Sequence, residues 1–159
     1  MHRVLITGMS GTGKSTLLAA LRTEDNIVVD LDYDDWIVYN EAYGERTMDI
    51  PRLLRLFEDQ QGKDIFLAGC AVNQGSLYPY LTAVIVLTAL LSVMHRRIQK
   101  RTDNDFGKSP AEWEQILRDK EEIEPLLIRG SHLVCDTDKD ISLVVREIRE
   151  YLNTVNPDR

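Results

Sequence analysis

Gly8-Met9-Ser10-Gly11-Thr12-Gly13-Lys14-Ser15 is the stretch from which the rest of the chain is read. It fits the pattern G-x-x-x-x-G-K-[ST] without a gap. At average residue usage, chance gives such a match in about one chain in 200 of this length. The glycines let the backbone curl so that successive N–H groups point inward at phosphate oxygens. A strand pattern, Arg3–Thr7, comes directly before the segment and a helical one, Lys14–Arg22, directly after, so the positive end of a helix falls on the same spot. Lys14 is expected to reach the β- and γ-phosphates of ATP, and the Ser15 hydroxyl to bind Mg²⁺. Gly8, Ser10, Gly11, Thr12, Gly13, Lys14, Ser15 and Thr16 make up the expected ATP-binding loop. The second Gly-Lys-Ser, Gly107-Lys108-Ser109, has Thr102 where the leading glycine should stand, so it is no second phosphate loop.

Outward from this loop, short β-branched runs alternate with longer helical patterns. Strands are expected at Arg3–Thr7, Ile27–Leu31, Ile65–Ala68, Ala83–Leu87 and His132–Cys135. Helices are expected near Lys14–Arg22, Asp34–Ala42, Pro51–Gln60, Ala89–Arg101, Pro110–Arg129 and Asp140–Asn153. Such alternation implies βαβ units with right-handed crossovers and an α/β fold of three layers, helices covering both faces of a parallel sheet. Ser109-Pro110-Ala111-Glu112 combines an N-cap, a first-turn proline and a capping-box glutamate. Pro125 predicts a kink or break in the segment that follows, and Gly130 a left-handed helix stop. Ile141, Val144, Val145, Ile148 and Leu152 share one stripe of the last helix, enough to dock it on the sheet.

The 159 residues are 43 % apolar and 28 % charged, the mix of an ordinary globular protein, and no repeat or linker divides them, so one unit over 1–159 is expected. Nineteen basic against 26 acidic residues leave a net charge of −7, which disfavours nucleic acid and anionic membranes as partners. A polyanion must therefore be held by a local arrangement. Thirty residues from Ile65 to Met94 carry no Asp, Glu, Lys or Arg, but Asn73, Gln74, Gly75 and Pro79 split them into two buried strands rather than a membrane span. Cys70 and Cys135 have neither metal-ligand nor C-x-x-C spacing and read as free thiols of a reducing, cytoplasmic setting. The run Val4-Leu5-Ile6 is too short for a secretory signal.

Ile27-Val28-Val29-Asp30-Leu31-Asp32 sets two carboxylates at the carboxyl end of the second expected strand, where open α/β sheets bind ligands. From Thr23 to Glu45 there are eight acids and no Lys or Arg, so these carboxylates lack local ion partners. A phosphotransferase needs one acid to hold Mg²⁺ and one to orient or deprotonate an acceptor hydroxyl. Asp30 suits the first role and Asp32 the second; a solvated acidic loop, with Asp34 capping the next helix, is the structural alternative.

Gly8-x-x-Gly11-x-Gly13-Lys14-Ser15 followed by Asp30-x-Asp32 resembles the small P-loop kinases of the nucleoside/nucleotide and shikimate kinase superfamily. The resemblance runs through most of the chain. It implies a P-loop NTPase fold with a five-stranded parallel sheet in the order 2-3-1-4-5 and a small helical lid over about residues 96–125. It further implies a Gly-containing substrate loop at Ala68-Gly69-Cys70-Ala71, an arginine-bearing lid after the fourth strand and an adenine loop after the fifth. The glycine run and arginine-rich substrate site of shikimate kinases are not reproduced at Gly69-Cys70-Ala71, so the acceptor stays open.

Arg96, Arg97, Lys100 and Arg101 crowd one helix end, opposite the apolar stripe Leu90, Leu91, Met94 and Ile98. Thr102-Asp103-Asn104-Asp105-Phe106-Gly107-Lys108 then reads as a flexible flap. Such a flap brings arginines onto a transferring phosphate, and Arg97 and Arg101 are the expected contacts. The resemblance places Arg46 and Gly69 on the substrate side, and with Asn73 they join Asp32 as candidate substrate residues, although a turn with satisfied amides describes Asn73 and Gln74 equally well. Trp36 and Trp113 read as helix packing residues.

The expected activity is transfer of the ATP γ-phosphoryl group to a small hydroxyl- or phosphate-bearing acceptor. The alternatives are a nucleotide-dependent switch or slow NTPase without an acceptor, and an inactive kinase-like domain that still binds ATP. The guanine-reading N-K-x-D segment is absent, and Asp59-Gln60-Gln61-Gly62 precedes the third strand instead of ending it. Motor-type ATPases end that strand in an acid, whereas Gly69 follows Ala68 here. Both features favour the kinase reading.

Overall fold

Residues 1–157 are described by a computed structural model; Asp158 and Arg159, part of the unit expected over 1–159, lie outside the described residues. The chain begins with β1 (Arg3–Thr7), α1 (Lys14–Leu21) and β2 (Asn26–Asp30), followed by the short strands β3 (Ile37–Asn40) and β4 (Glu45–Met48). Then come α2 (Ile50–Asp59), β5 (Asp64–Ala68), a 3₁₀ segment over Gln74–Tyr80 and β6 (Ala83–Thr88). The remainder is α3 (Leu91–Lys100), α4 (Pro110–Glu122), α5 (Glu124–Arg129), β7 (Leu133–Asp136) and α6 (Ile141–Thr154).

Five strands form one sheet in the order β2-β5-β1-β6-β7, every pairing parallel. Numbered among themselves they run 2-3-1-4-5, as the resemblance implies. In the centre, Leu5 stands opposite Leu67 on one side and Val84 on the other. Successive strand residues face opposite ways, and this alternation builds the layers. Val4 and Ile6 pack with Leu17 and Leu21 of α1 and with Val144, Ile148 and Leu152 of α6. Leu5, Leu67 and Val84 face Leu53 and Phe57 of α2, Ile37 and Met48 of the short strands, and Leu77. Val86 joins Met94 and Ile98 of α3, Ile116 of α4 and Leu127 of α5 in a third cluster.

Local signals account for several helix ends. The Ser109 Oγ accepts the Glu112 N–H at 3.3 Å and its hydroxyl donates to Glu112 Oε1 at 2.9 Å. Pro125 divides the expected helix into α4 and α5. Gly130 departs from expectation, since its φ of −86° and ψ of 0° are right-handed. Its small size matters because a Cβ would stand 3.0 Å from the Tyr78 ring.

The largest correction lies between β2 and α2. The helix expected over Asp34–Ala42 is absent, and an antiparallel hairpin of β3 and β4 takes its place, with Tyr39 opposite Arg46. Asp34 and Asp35 both adopt φ +56°, a left-handed turn that no helix can continue through. Ile37-Val38-Tyr39 favours a strand, and the Asn40 Oδ1 accepts the Ala42 N–H at 2.9 Å to start the turn that Gly44 completes at φ +66°. Trp36 consequently lies in the turn, not a helix, with the Arg52 guanidinium 3.7 Å above its ring. Trp113 does lie in a helix, edge-on to His95.

Candidate functional site

A cleft of about 760 Å³ opens at the carboxyl end of the sheet. Its floor is the phosphate loop: Ser10, Gly11, Gly13, Lys14, Ser15 and Thr16 all line it. Gly8, Gly11 and Gly13 have φ of +147°, +82° and +96°, and a Cβ on Gly11 would meet the Met94 carbonyl at 2.8 Å. Gly13 is also the N-cap of α1, and no side chain caps that helix. Among the described residues, the N–H groups of Gly13, Lys14 and Ser15 find no protein acceptor. Unpaired donors at a helix N-terminus are what an anionic group satisfies.

The Lys14 Nζ donates to the carbonyls of Gly8 at 2.8 Å and Met9 at 3.0 Å, which lays its chain along the loop. Burial pushes the Lys14 ammonium below the usual lysine range, against the opposite pull of Cys70, Asp32 and Asp30. Two members of the expected loop face inward instead. Thr12 is buried, with its hydroxyl donating to Met9 O at 2.7 Å and its carbonyl accepting from Thr137 Oγ1 at 2.7 Å. Gly8 abuts Leu87 and reaches the cleft only through the carbonyl that holds Lys14.

The acid pair sits beside this loop. The Ser15 hydroxyl donates to Asp30 Oδ2 at 2.6 Å, and the Asp32 N–H donates to Asp30 Oδ1 at 3.2 Å. Hydroxyl and carboxylate oxygens side by side, next to a phosphate cradle, are the hard donors that Mg²⁺ accepts, so Ser15 and Asp30 fit that ion. Asp32 lines the cleft itself. Desolvation raises its carboxyl above the usual range, with Asp30 adding to the rise and Lys14, Arg46 and Arg101 opposing it. The charges of all four groups thus converge on one carboxylate.

Arg97, Lys100, Arg101, Thr137 and Lys139 also line the cleft. Five cationic side chains against the carboxylates of Asp32 and Asp103 make the cleft positive inside a protein of charge −7. Arg97 is not a free lid arginine. Its guanidinium donates to Gly11 O at 3.3 Å, Thr137 Oγ1 at 2.9 Å and Thr137 O at 2.7 Å. The Arg101 Nε donates to Asn104 O at 2.9 Å and its Nη2 to Phe106 O. The segment expected as a flexible flap is therefore a hydrogen-bonded knot around Arg101. Tyr33, which the sequence did not single out, reaches over from the acid pair and donates its hydroxyl to Asp103 at 3.0 Å.

Three candidate substrate residues fare differently. The Arg46 guanidinium donates to Ile37 O at 2.9 Å within the hairpin while its charge still acts on Asp32. Both amide atoms of Asn73 are taken up by Met48, accepting its N–H at 2.8 Å and donating to its carbonyl at 3.0 Å. Asn73 is a clamp on the hairpin, not a residue free to contact a ligand. Gly69 is fixed by packing, since a Cβ would stand 2.8 Å from Leu31 Cβ, and it does not line the cleft. Cys70 and Cys135 are both free, and burial pushes the Cys135 thiol up to about 12, which makes it inert. Among the described residues no helix is long and apolar enough to cross a membrane.

A glycine cradle closing the first strand of a 2-3-1-4-5 parallel sheet, with acids ending the second, defines a nucleotide-binding protein of the P-loop NTPase fold. The chain belongs to the AAA domain family, whose model matches residues 4–126. No protein among curated sequences matches it. Its fold is shared with shikimate kinase from Bacteroides thetaiotaomicron, at 16 % identity and a TM-score of 0.64 over 96 % of this chain and 98 % of that one. A sugar kinase from Janibacter sp. is similar at 15 % identity and a TM-score of 0.64, covering 96 % and 95 %. Deoxyadenosine kinase from M. mycoides, solved with bound dATP, is similar at 14 % identity and a TM-score of 0.62, covering 96 % and 100 %.

Proposed function

We propose that the chain is an ATP-dependent phosphotransferase that moves the γ-phosphoryl group of ATP to a small acceptor bearing a hydroxyl or phosphate. The observation that carries this reading is Asp32: a carboxylate lining the same cleft as the phosphate loop, within the electrostatic reach of Lys14, Arg46 and Arg101. A carboxylate so placed can take the proton of an acceptor hydroxyl. The kinases of similar fold named above support the same reaction class.

The N–H groups of residues 13–15 hold the phosphates, and Lys14 leaves its carbonyl partners to neutralise the β–γ bridge. Ser15 and Asp30 would hold Mg²⁺, which would supply charge neutralisation on the phosphate oxygens. Asp32 accepts the acceptor's proton as its oxygen bonds to the γ-phosphorus, the bond to the bridging oxygen breaks, and ADP leaves. Arg101 supplies positive charge where negative charge gathers on the transferring group. Arg97 ties the nucleotide-side wall together, and Arg46 orients the acceptor side. Residues 96–125 form the lid of a single catalytic unit.

The test is ATP consumption screened across nucleosides, sugars, cofactor precursors and amino alcohols. Consumption that depends on one acceptor and vanishes in Asp32→Asn is expected. Consumption indifferent to every acceptor overturns the assignment in favour of an NTPase.

A further inference from the structure

Arg101 is the C-cap residue just after α3 and faces the cleft, yet nothing within α3 fixes its guanidinium. The loop that follows does so. Two of its carbonyls, Asn104 O and Phe106 O, receive the guanidinium N–H groups. The loop is held in shape by its own contacts: the Phe106 N–H donates to Asn104 Oδ1 at 2.9 Å, and the Lys108 N–H to Asp105 O at 3.2 Å. Gly107, at φ +91°, passes so close to α4 that a Cβ would stand 2.6 Å from Ile116 Cδ1.

One side chain closes this loop onto the helix. The Lys108 Nζ donates to the Arg101 carbonyl at 2.6 Å and to Asp105 Oδ1 at 3.0 Å. Lys108 does not line the cleft. It joins the residue after the loop to the backbone of the residue before it, so the loop is a closed ring with the Arg101 guanidinium bound inside.

We infer that Lys108 is a positioning residue for phosphoryl transfer. It acts through Arg101, which it holds oriented over the phosphate loop before any ligand arrives. Arg101 already exerts its charge on both Lys14 and Asp32 in this arrangement. A donor fixed in advance loses no ordering entropy at the transition state, so its effect falls on the transferring group and not on ground-state nucleotide affinity. The inference rests on the phosphotransferase reading.

The experiment compares the affinity of the full chain for Mg·ADP with its affinity for Mg·ADP plus aluminium fluoride, a planar mimic of the transferring phosphoryl group. Wild type should bind the mimic more tightly than Mg·ADP. Lys108→Met should cut that preference by about tenfold, the value of one charge-assisted contact, while Mg·ADP affinity stays within about twofold; Arg101→Ala should cut the preference at least as far. Lys108→Arg should retain most of the preference, and the double variant should lose no more than Arg101→Ala alone. Should Lys108→Met not fold, Asp105→Ala removes the ammonium's carboxylate partner and should cut the preference by about threefold. A full preference in Lys108→Met, or equal weakening of both complexes, overturns the inference. Wild type that binds neither complex overturns the phosphotransferase reading as well, so the two failures are told apart.

Discussion

At the phosphate end of the cleft, residues 8–16 present main-chain groups; at the proposed acceptor end, residues 30–48 present side chains on a turn and a hairpin. The first region needs left-handed glycines and a lysine at one fixed spacing, because backbone N–H groups converge on an anion in only one way. The second holds its shape through scattered contacts: Asn73 on Met48, Arg52 on Trp36 and on Asp34 O, Arg46 on Ile37 O. Main-chain recognition leaves a pattern in sequence, and side-chain assembly from distant positions leaves almost none. In the proposed reaction the division also separates chemistry: grip at one end, choice of acceptor at the other.

The largest effect is expected at the phosphate end. Lys14→Ala should lower kcat/KM for ATP by about 10³ or more, and an unchanged value would break the comparison outright. Asp32→Asn should lower acceptor-dependent turnover by about 10²–10⁴ while ATP affinity, measured by calorimetry, stays put. Loss of both in Asp32→Asn would merge the two ends into one.

Gly11→Ala comes next. The added Cβ meets Met94 O at 2.8 Å on a backbone at φ +82°, which should cost about 2–3 kcal/mol of stability by denaturant unfolding and abolish ATP binding. Asn73→Ala should cost about 1–2 kcal/mol through the stranded Met48 backbone groups and weaken acceptor KM, with ATP affinity unchanged.

The subtlest expectation concerns pH. As the proposed general base, Asp32 works only as a carboxylate, and desolvation raises its pKa. The acid limb of kcat/KM should therefore lie above the ordinary carboxylate range, with activity rising as pH rises through it. Lys14 works only charged, and burial lowers its pKa, so the alkaline limb should lie below the ordinary lysine range. An acid limb that persists unchanged in the residual activity of Asp32→Asn would assign it to another group.

The five strand positions, the phosphate loop and the Asp30/Asp32 pair were legible because each rests on local spacing: two residues per pleat, or a fixed pattern after a strand; the strand order came from the resemblance alone. The hairpin was not. Its Ile37-Val38-Tyr39 run and the Asn40…Gly44 turn are strand signals, but a three-residue β-run among acids is outweighed by the helical expectation for a crossover. Asp34 and Asp35 at positive φ end that expectation, and aspartate in that region is uncommon enough to escape a reading by propensity. Arg97 and Arg101 were found by charge crowding, yet their engagement by Thr137 and by the 104–106 carbonyls depends on contacts up to 40 positions away. Tyr33 was missed for a similar reason, since its partner Asp103 lies 70 positions further on.

Arg97 ties the Gly11 carbonyl to Thr137 with three hydrogen bonds, and the Thr137 hydroxyl donates directly to the Thr12 carbonyl at 2.7 Å. The turn after β1 and the turn after β7, 125 positions apart in the chain, are thereby laced together, so neither can shift without dragging the other.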